Sequence, residues 1–162
     1  MFKKLDETAI LPMAKTKRSA GFDICTIKDF TIYAGETLLI KTGIALDTDS
    51  QYEYLLRERA KSGIFFDKQR WEFFLDSHYF DLKPRSSIRK KGLSFLSDGT
   101  IDLDYKEEIG ILIHNHNREG FIKFKKGDAI GQLILAQHSG LVLDNYILQA
   151  ERSGGWGSTN EN

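Results

Sequence analysis

Apolar and polar residues alternate with a period of two through much of this chain, the pattern of a strand with one face buried and the other wet. In "DFTIYAGETLLIKTGIALD" (29–47), Phe30 and Ile32 alternate with polar neighbours, Ala34-Gly35 breaks the run, and Leu38 and Ile40 resume it. The same period returns at Ile109, Ile111 and Ile113. It returns again at Ile122 and Phe124, before a Lys126-Gly127-Asp128 turn and the pair Leu133 and Leu135. Short strands punctuated by Gly or Asp, with little helical periodicity, predict an all-β sandwich or barrel. One segment departs from this pattern. In "QYEYLLRERAKSGIFFDKQRWEFFLDSH" (51–78), Tyr52, Leu55, Leu56 and Ala60 fall at helical spacing, with Gly63 placed as a stop. Asp67 is positioned to cap a second short helix carrying Trp71, Phe74 and Leu75 on one face. The segment reads as a helical insertion in the β framework, with a long hairpin arm as the alternative.

Composition narrows the partners. At 162 residues the chain is one domain long, enough for a hydrophobic core without metal or disulfide support. Lys plus Arg and Asp plus Glu are equal at 23 each, so no net field draws the protein to nucleic acid or to a membrane surface, and neither partner is expected. An anionic ligand must be held by a local cluster. The single Cys25 excludes an internal disulfide framework and fits a reducing compartment as a small packing residue. The opening "MFKKLDETAILPMAK" has no apolar signal segment, and no stretch approaches the length of a membrane span. A cytoplasmic location is expected.

The chemistry gathers in five short stretches. "AGFDI" (20–24) sets Asp23 just after a glycine, and "PRSSI" (84–88) offers a guanidinium, two hydroxyls and main-chain N–H groups within one turn, the parts of a phosphate cradle. "GTIDLDY" (99–105) carries Asp102 and Tyr105, "KGDAIGQLI" (126–134) contains Gln132, and "ERSGGWGST" (151–159) sets an arginine, three glycines and a tryptophan near the end of the chain. Singly, each has a plain structural reading: Asp23 and Asp128 as turn formers, Arg85 as a surface ion-pair partner, Tyr105 as core or rim.

Together and in this order, the five stretches resemble the motifs of the homotrimeric dUTP diphosphatase (dUTPase) family, over nearly all of the chain outside 51–78. The resemblance implies a distorted β-barrel or jelly-roll-like domain over residues 1–150 and a mobile Gly-rich arm over 151–162. It implies Mg²⁺-dependent hydrolysis of dUTP to dUMP and pyrophosphate by water attack at the α-phosphorus. Asp102 would orient and deprotonate the water, and Gln132 would hydrogen-bond at the α-phosphate. Arg85, Ser86 and the backbone of Ser87 would cradle the phosphates, with Ser86 near the bridging oxygen where charge grows. Mg²⁺ would be held chiefly by the phosphates and water, with Asp23 supporting that shell through water.

The remaining implied roles concern the nucleoside and the arm. Tyr105 would pack on the deoxyribose and leave no space for a 2′-hydroxyl. Main-chain groups of a hairpin built near 99–102 and 109–113, including Gly99, Ile101 and Ile111, would read uracil. In the arm, Arg152, Gly157, Ser158 and Thr159 would lie at the phosphates and Trp156 would stack on the base. Three copies would share each site, with the phosphate cradle and Gln132 from one, the Asp102–Tyr105 segment from a second and the arm from a third.

The chain departs from the family pattern in places. Trp156 replaces the usual phenylalanine, the arm is one residue shorter between Arg152 and the aromatic, and Lys106-Glu107 follows Tyr105 where glycine is usual. "KSGI" (61–64) mimics the phosphate motif weakly, but 84–88 has the expected spacing to Asp102. Alternative functions are a dCTP deaminase, a diphosphatase for a modified deoxyuridine triphosphate, or a regulatory protein that uses the aromatic insertion as a partner surface. Against the deaminase, "IGILIHN" (109–115) lacks the glutamate that proton transfer needs, and Lys90 stands where an arginine is usual. His114 and His116 share strand spacing, but no cysteine neighbours them, and a turn after the strand is the preferred reading over a zinc site. Deleting residues 152–162 should preserve folding and assembly while dUTP turnover falls sharply, because γ-phosphate contacts and water exclusion are both lost. A truncated protein as fast as the full chain would reduce "ERSGGWGST" to a tail.

Overall fold

The computed structural model describes residues 1–63, 67–97 and 99–139. The first strands are β1 (Phe2–Lys4), β2 (Met13–Ala14), β3 (Gly21–Cys25), β4 (Phe30–Tyr33), β5 (Thr37–Ile40) and β6 (Ile44–Leu46). Two helices follow, α1 (Thr48–Lys61) and α2 (Lys68–Ser77), then β7 (His78–Pro84) and the short α3 (Ser86–Lys90). The chain continues through β8 (Leu93–Phe95), β9 (Gly99–Asp102), β10 (Ile111–Asn115), β11 (Phe121–Phe124) and β12 (Ala129–Gln137).

These strands form a five-stranded sheet in the order β2-β3-β12-β7-β9, a three-stranded sheet β5-β10-β8, and the pairs β11-β4 and β1-β6. Every pairing is antiparallel, so alternate residues enter one common core. Ile24, Ile32, Ile111, Ile113, Ile130 and Leu133 are fully buried, as the period-two pattern predicts. Leu135 lies beyond the core and is 38% exposed. Phe80 ties the five-stranded sheet to the first strand, with ring centroids 5.1 Å from Phe2 and 6.5 Å from Phe22. The Lys126-Gly127-Asp128 turn forms as expected: Gly127 takes φ 86° and Asp128 N–H donates to Lys125 O at 2.9 Å. No helix among the described residues is long and apolar enough to cross a membrane.

The interrupting segment is helical. It begins three residues before the expected boundary, because Asp47 accepts from Ser50 N–H at 3.2 Å and Thr48 is buried. The Ser50 bond holds the Asp47 carboxyl below the usual carboxylate range. Gly63, at φ 65°, follows the Ser62 cap as the sequence predicts. Asp67 caps α2 through Gln69 N–H at 2.9 Å. Trp71 is buried and stacks between Tyr52 of α1 (5.9 Å) and Phe74 (5.2 Å), and Phe74 with Leu75 packs onto the β core. Most of α1 faces solvent, with exposed ion pairs such as Lys61–Glu58.

The β5–β6 turn depends on a left-handed glycine. Gly43 has φ 66°, and a Cβ there would stand 3.0 Å from both Ala9 Cβ and Asp6 Cβ. Gly43→Ala is expected to destabilise the domain by about 1–2 kcal/mol from the left-handed backbone alone, with the close contacts adding to it. Urea titration of the two proteins measures the difference, and equal midpoints would contradict this account.

Candidate functional site

One row of residues crosses the outer face of the five-stranded sheet. Gln132 on β12 lies opposite Asp23 of β3 on one side and Lys83 of β7 on the other. Residues paired in this way project from the same face. The buried positions of β7 are Phe80, Leu82 and Pro84, so the Asp23–Gln132–Lys83 row faces away from the core. A register shift between Ala129 and Gly131 inserts a bulge just before Gln132. At Gly131 an added Cβ would meet Ile24 and Phe95 at 3.1 Å, so the strand there lies directly on the core.

Arg85 follows β7 and folds back over this row. Its Nε lies 3.4 Å from Asp23 Oδ1, and Nη1 donates to Ala129 O at 3.5 Å. Both charged side chains are partly buried, which holds the guanidinium more firmly than a surface pair would. Ser86 and Ser87 open α3 and are exposed, while Ile88 anchors that turn in the core. The first turn of a helix leaves main-chain N–H groups without intrahelical acceptors. Guanidinium, hydroxyls and N–H donors therefore stand together within reach of one anionic group. Burial, followed by the nearby Asp23 charge, pushes the Cys25 thiol up, which keeps it neutral and suited to packing.

Asp102 and Tyr105 lie elsewhere. Asp102 ends β9 opposite Tyr79, whereas Gln132 is opposite Lys83. Those two partners are four residues apart on β7, roughly 13 Å at the rise of a strand. Asp102 is exposed, and Tyr105 N–H donates to its carbonyl at 3.0 Å, closing a turn. The Tyr105 hydroxyl donates to Glu108 O at 3.3 Å, and its ring is partly buried at the core margin. Lys106 reaches Asp49 in the first turn of α1 at 3.1 Å, joining this loop to the insertion.

The structure thus brings Asp23, Arg85, Ser86, Ser87 and Gln132 together and holds Asp102 and Tyr105 apart from them. Gly99 pairs with Leu82 and Ile101 with Phe80. Ile111 is fully buried opposite Ile40. The expected hairpin between 99–102 and 109–113 does not form as a ladder. β9 pairs with β7 and β10 with β5 and β8, because Ile101 and Ile111 enter the core from different sheets. Arg152, Trp156, Gly157, Ser158 and Thr159 lie outside the described residues. His114 and His116 are each engaged by a hydroxyl, from Thr37 at 2.8 Å and Ser94 at 2.7 Å.

Sequence reasoning missed Lys83 and Gly21. Alternation in "HYFDLKP" (78–84) carries the signal for Lys83, which pairs with Asp81 at 3.0 Å beside Gln132. Gly21 carries no such signal: a Cβ there would stand 2.7 Å from Gln132 Oε1, so its lack of a side chain leaves room for the amide.

The fold and site define a jelly-roll-like β protein in which Arg85 and Gln132 lie in one part of the chain and Asp102 in another. The dUTPase family pattern matches residues 7–63 and 74–160, and the chain belongs to that family. Only 64–73 goes unmatched between those two stretches, and these residues lie within the α1–α2 segment. Deoxyuridine 5′-triphosphate nucleotidohydrolase of Nautilia profundicola is 34% identical over 97% of this chain and 95% of its own length. The Mus musculus protein of the same name is 30% identical over 99% of this chain and 85% of its own length. Among solved structures, the dUTPase from phage phi11 of S. aureus matches 96% of this chain and 98% of its own, at 19% identity with a TM-score of 0.62. EIAV dUTPase matches 91% and 100%, at 22% identity with a TM-score of 0.58. At these identities the structural likeness is one of fold.

Gly21→Ala is expected to displace the Gln132 side chain, because an added Cβ would stand 2.7 Å from its Oε1, 3.1 Å from its Cβ and 3.2 Å from its Cδ. If Gln132 serves at the α-phosphate as the family resemblance implies, dUTP turnover should fall about tenfold. Unchanged turnover would show that the position of Gln132 is immaterial.

Proposed function

We propose that the chain hydrolyses dUTP to dUMP and pyrophosphate in a site shared between copies of itself. The observation that carries this reading is the strand register. Arg85, Asp23 and Gln132 gather at one end of β7, and Asp102 stands four β7 residues away on a neighbouring strand. A water-activating carboxylate must reach the atoms that the cradle holds, within hydrogen-bond distance. A second copy presenting its Asp102–Tyr105 segment to the first copy's cradle meets that requirement, and a homotrimer closes such a heterologous contact.

Arg85, the hydroxyl of Ser86 and the backbone of Ser87 bind the phosphates, donating hydrogen bonds where negative charge grows as pyrophosphate leaves. Gln132 orients the α-phosphate. Asp102 takes a proton from the attacking water while the new P–O bond forms and the bond to the bridging oxygen breaks. Tyr105 covers the deoxyribose face, and main-chain groups near Gly99, Ile101 and Ile111 read the base. Arg152, Gly157, Ser158 and Thr159 cover the phosphates and Trp156 the uracil. The likeness to the phage phi11 dUTPase, described with a structural Mg(II) ion, supports Mg²⁺ as the ion. Among the described residues no three His, Cys, Asp or Glu side chains converge on a point, which suits an ion held chiefly by the triphosphate and water. Bound there, Mg²⁺ would supply charge neutralisation for the phosphates, and Asp23 would be the residue to support it through water. The cytoplasm is the compartment that fits a chain with one buried free cysteine.

A panel of dUTP, dTTP, dCTP and UTP, with and without Mg²⁺, should give dUMP and pyrophosphate from dUTP, with the others poor. Asp102→Asn should bind nucleotide yet lose at least about a hundredfold in turnover, since the carboxylate acts as general base. Mixing inactive Asp102→Asn with inactive Arg85→Ala protein under subunit exchange should restore activity. Ammonia released from dCTP would instead identify a deaminase, and no recovery on mixing would refute the shared site.

A further inference from the structure

The loop that carries Tyr105 is fastened to the β5–β6 turn through Glu108 and Ile109. Glu108 Oε1 accepts from Gly43 N–H at 2.8 Å, while its main-chain carbonyl accepts from the Tyr105 hydroxyl at 3.3 Å. The next residue holds the same turn. Ile109 N–H donates to Ile44 O at 2.8 Å, and its carbonyl accepts from the fully buried Thr42 hydroxyl at 2.6 Å. Gly43 is itself immobilised by its positive φ, by Ala9 and Asp6 packed against it, and by Leu5 N–H, which donates to its carbonyl at 2.8 Å. A continuous chain of contacts thus runs from a rigid turn, through the Glu108 carboxylate and carbonyl, to the tyrosine hydroxyl.

We propose that Glu108 is a positioning residue that seats Tyr105 and so sets the preference for deoxyribose over ribose. The proposal rests on the reading of Tyr105 as the residue against the sugar. A site rejects an added hydroxyl only modestly, by about a hundredfold where a pocket wall supplies the exclusion. The wall must therefore not retreat by even a fraction of an ångström. Its backbone N–H bond to Asp102 and its hydroxyl bond to the Glu108 carbonyl hold Tyr105 at both ends, and the Glu108 carboxylate ties the residue that carries that carbonyl to Gly43.

Geometry, not charge, carries this role. The Glu108 carboxylate also lies 3.6 Å from Lys41 Nζ, but that lysine is 67% exposed, and such a pair contributes little in water. The bond to Gly43 N–H needs an acceptor at the reach of a glutamyl side chain. Glutamine offers one without charge, and aspartate keeps the charge but falls one methylene short.

The test measures kcat/KM for dUTP and for UTP in the full-length protein with Mg²⁺, alongside thermal melting. Glu108→Asp and Glu108→Ala are each expected to narrow the dUTP-over-UTP ratio about tenfold, the scale of one lost hydrogen bond. The dUTP kcat should move much less than the ratio. Glu108→Gln should retain the parental ratio, and Lys41→Ala should as well. Tyr105→Ala should narrow the ratio too, with little further change when combined with Glu108→Ala, because the two residues act as one unit. A parental ratio in Glu108→Asp alongside a narrowed one in Tyr105→Ala would overturn the role of Glu108 and leave that of Tyr105 standing. A parental ratio in Tyr105→Ala would remove the reading of Tyr105 itself and this proposal with it. If Glu108→Ala fails to fold, Glu108→Asp and Glu108→Gln decide the matter, and loss in the glutamine but not the aspartate variant would show that charge governs.

Discussion

Antiparallel pairing of β12 with β3 on one side and β7 on the other sets the positions of nearly every polar group in the candidate site. β12 is the central strand of the five-stranded sheet. Its inward residues, Ile130 and Leu133, lock the register because a slip of one position would expose them and bury Gln132. With the register fixed, Gln132, Asp23 and Lys83 must share the outer face, and Arg85 must emerge at the end of β7 beside them. The cost of misplacing an isoleucine thereby fixes where the Gln132 amide and the Asp23 carboxylate stand on the outer face.

The same register keeps Asp102 away from Arg85 and Gln132. Asp102 ends β9 opposite Tyr79, four β7 residues from the Lys83 that faces Gln132, so on the proposed reading it does not serve the cradle of its own chain. In the shared site we propose, that rigidity is a reason for association. Each copy would carry both halves, so a closed ring would complete every site with one kind of contact. Fixed halves also suit selection by exclusion, since a sheet packed at crystal-like density does not relax around a foreign methyl or hydroxyl.

The α1–α2 segment is joined to this framework at both of its ends. Phe74 and Leu75 pack onto the β core, α2 runs directly into β7, and Asp49 meets Lys106 beside Tyr105. Its own centre is the Tyr52–Trp71–Phe74 stack, a small aromatic cluster with most of α1 facing solvent. The family match passes through α1, and its one internal gap, residues 64–73, takes in the first part of α2.

Local pattern was enough for the features governed by neighbours in the chain. The period-two runs marked the strands around Ile32, Ile40, Ile113 and Leu133; Asp67 and Gly63 marked helix ends, and Gly127 a turn. Order and residue type in the five stretches, by their resemblance to the family motifs, singled out Arg85, Ser86, Gln132, Asp102 and Tyr105 as candidates; the structure gathers the first three and holds the last two apart. Tertiary structure alone decided which strand lies beside which. The family resemblance implied a hairpin joining 99–102 to 109–113, yet β9 pairs with β7 and β10 with β5 and β8, with Ile111 fully buried and Ile101 packed against the core margin. Glu108 and Gly21 stayed invisible for the same reason: their partners, Gly43 and Gln132, are distant in sequence, and no local period encodes a contact across a packed core.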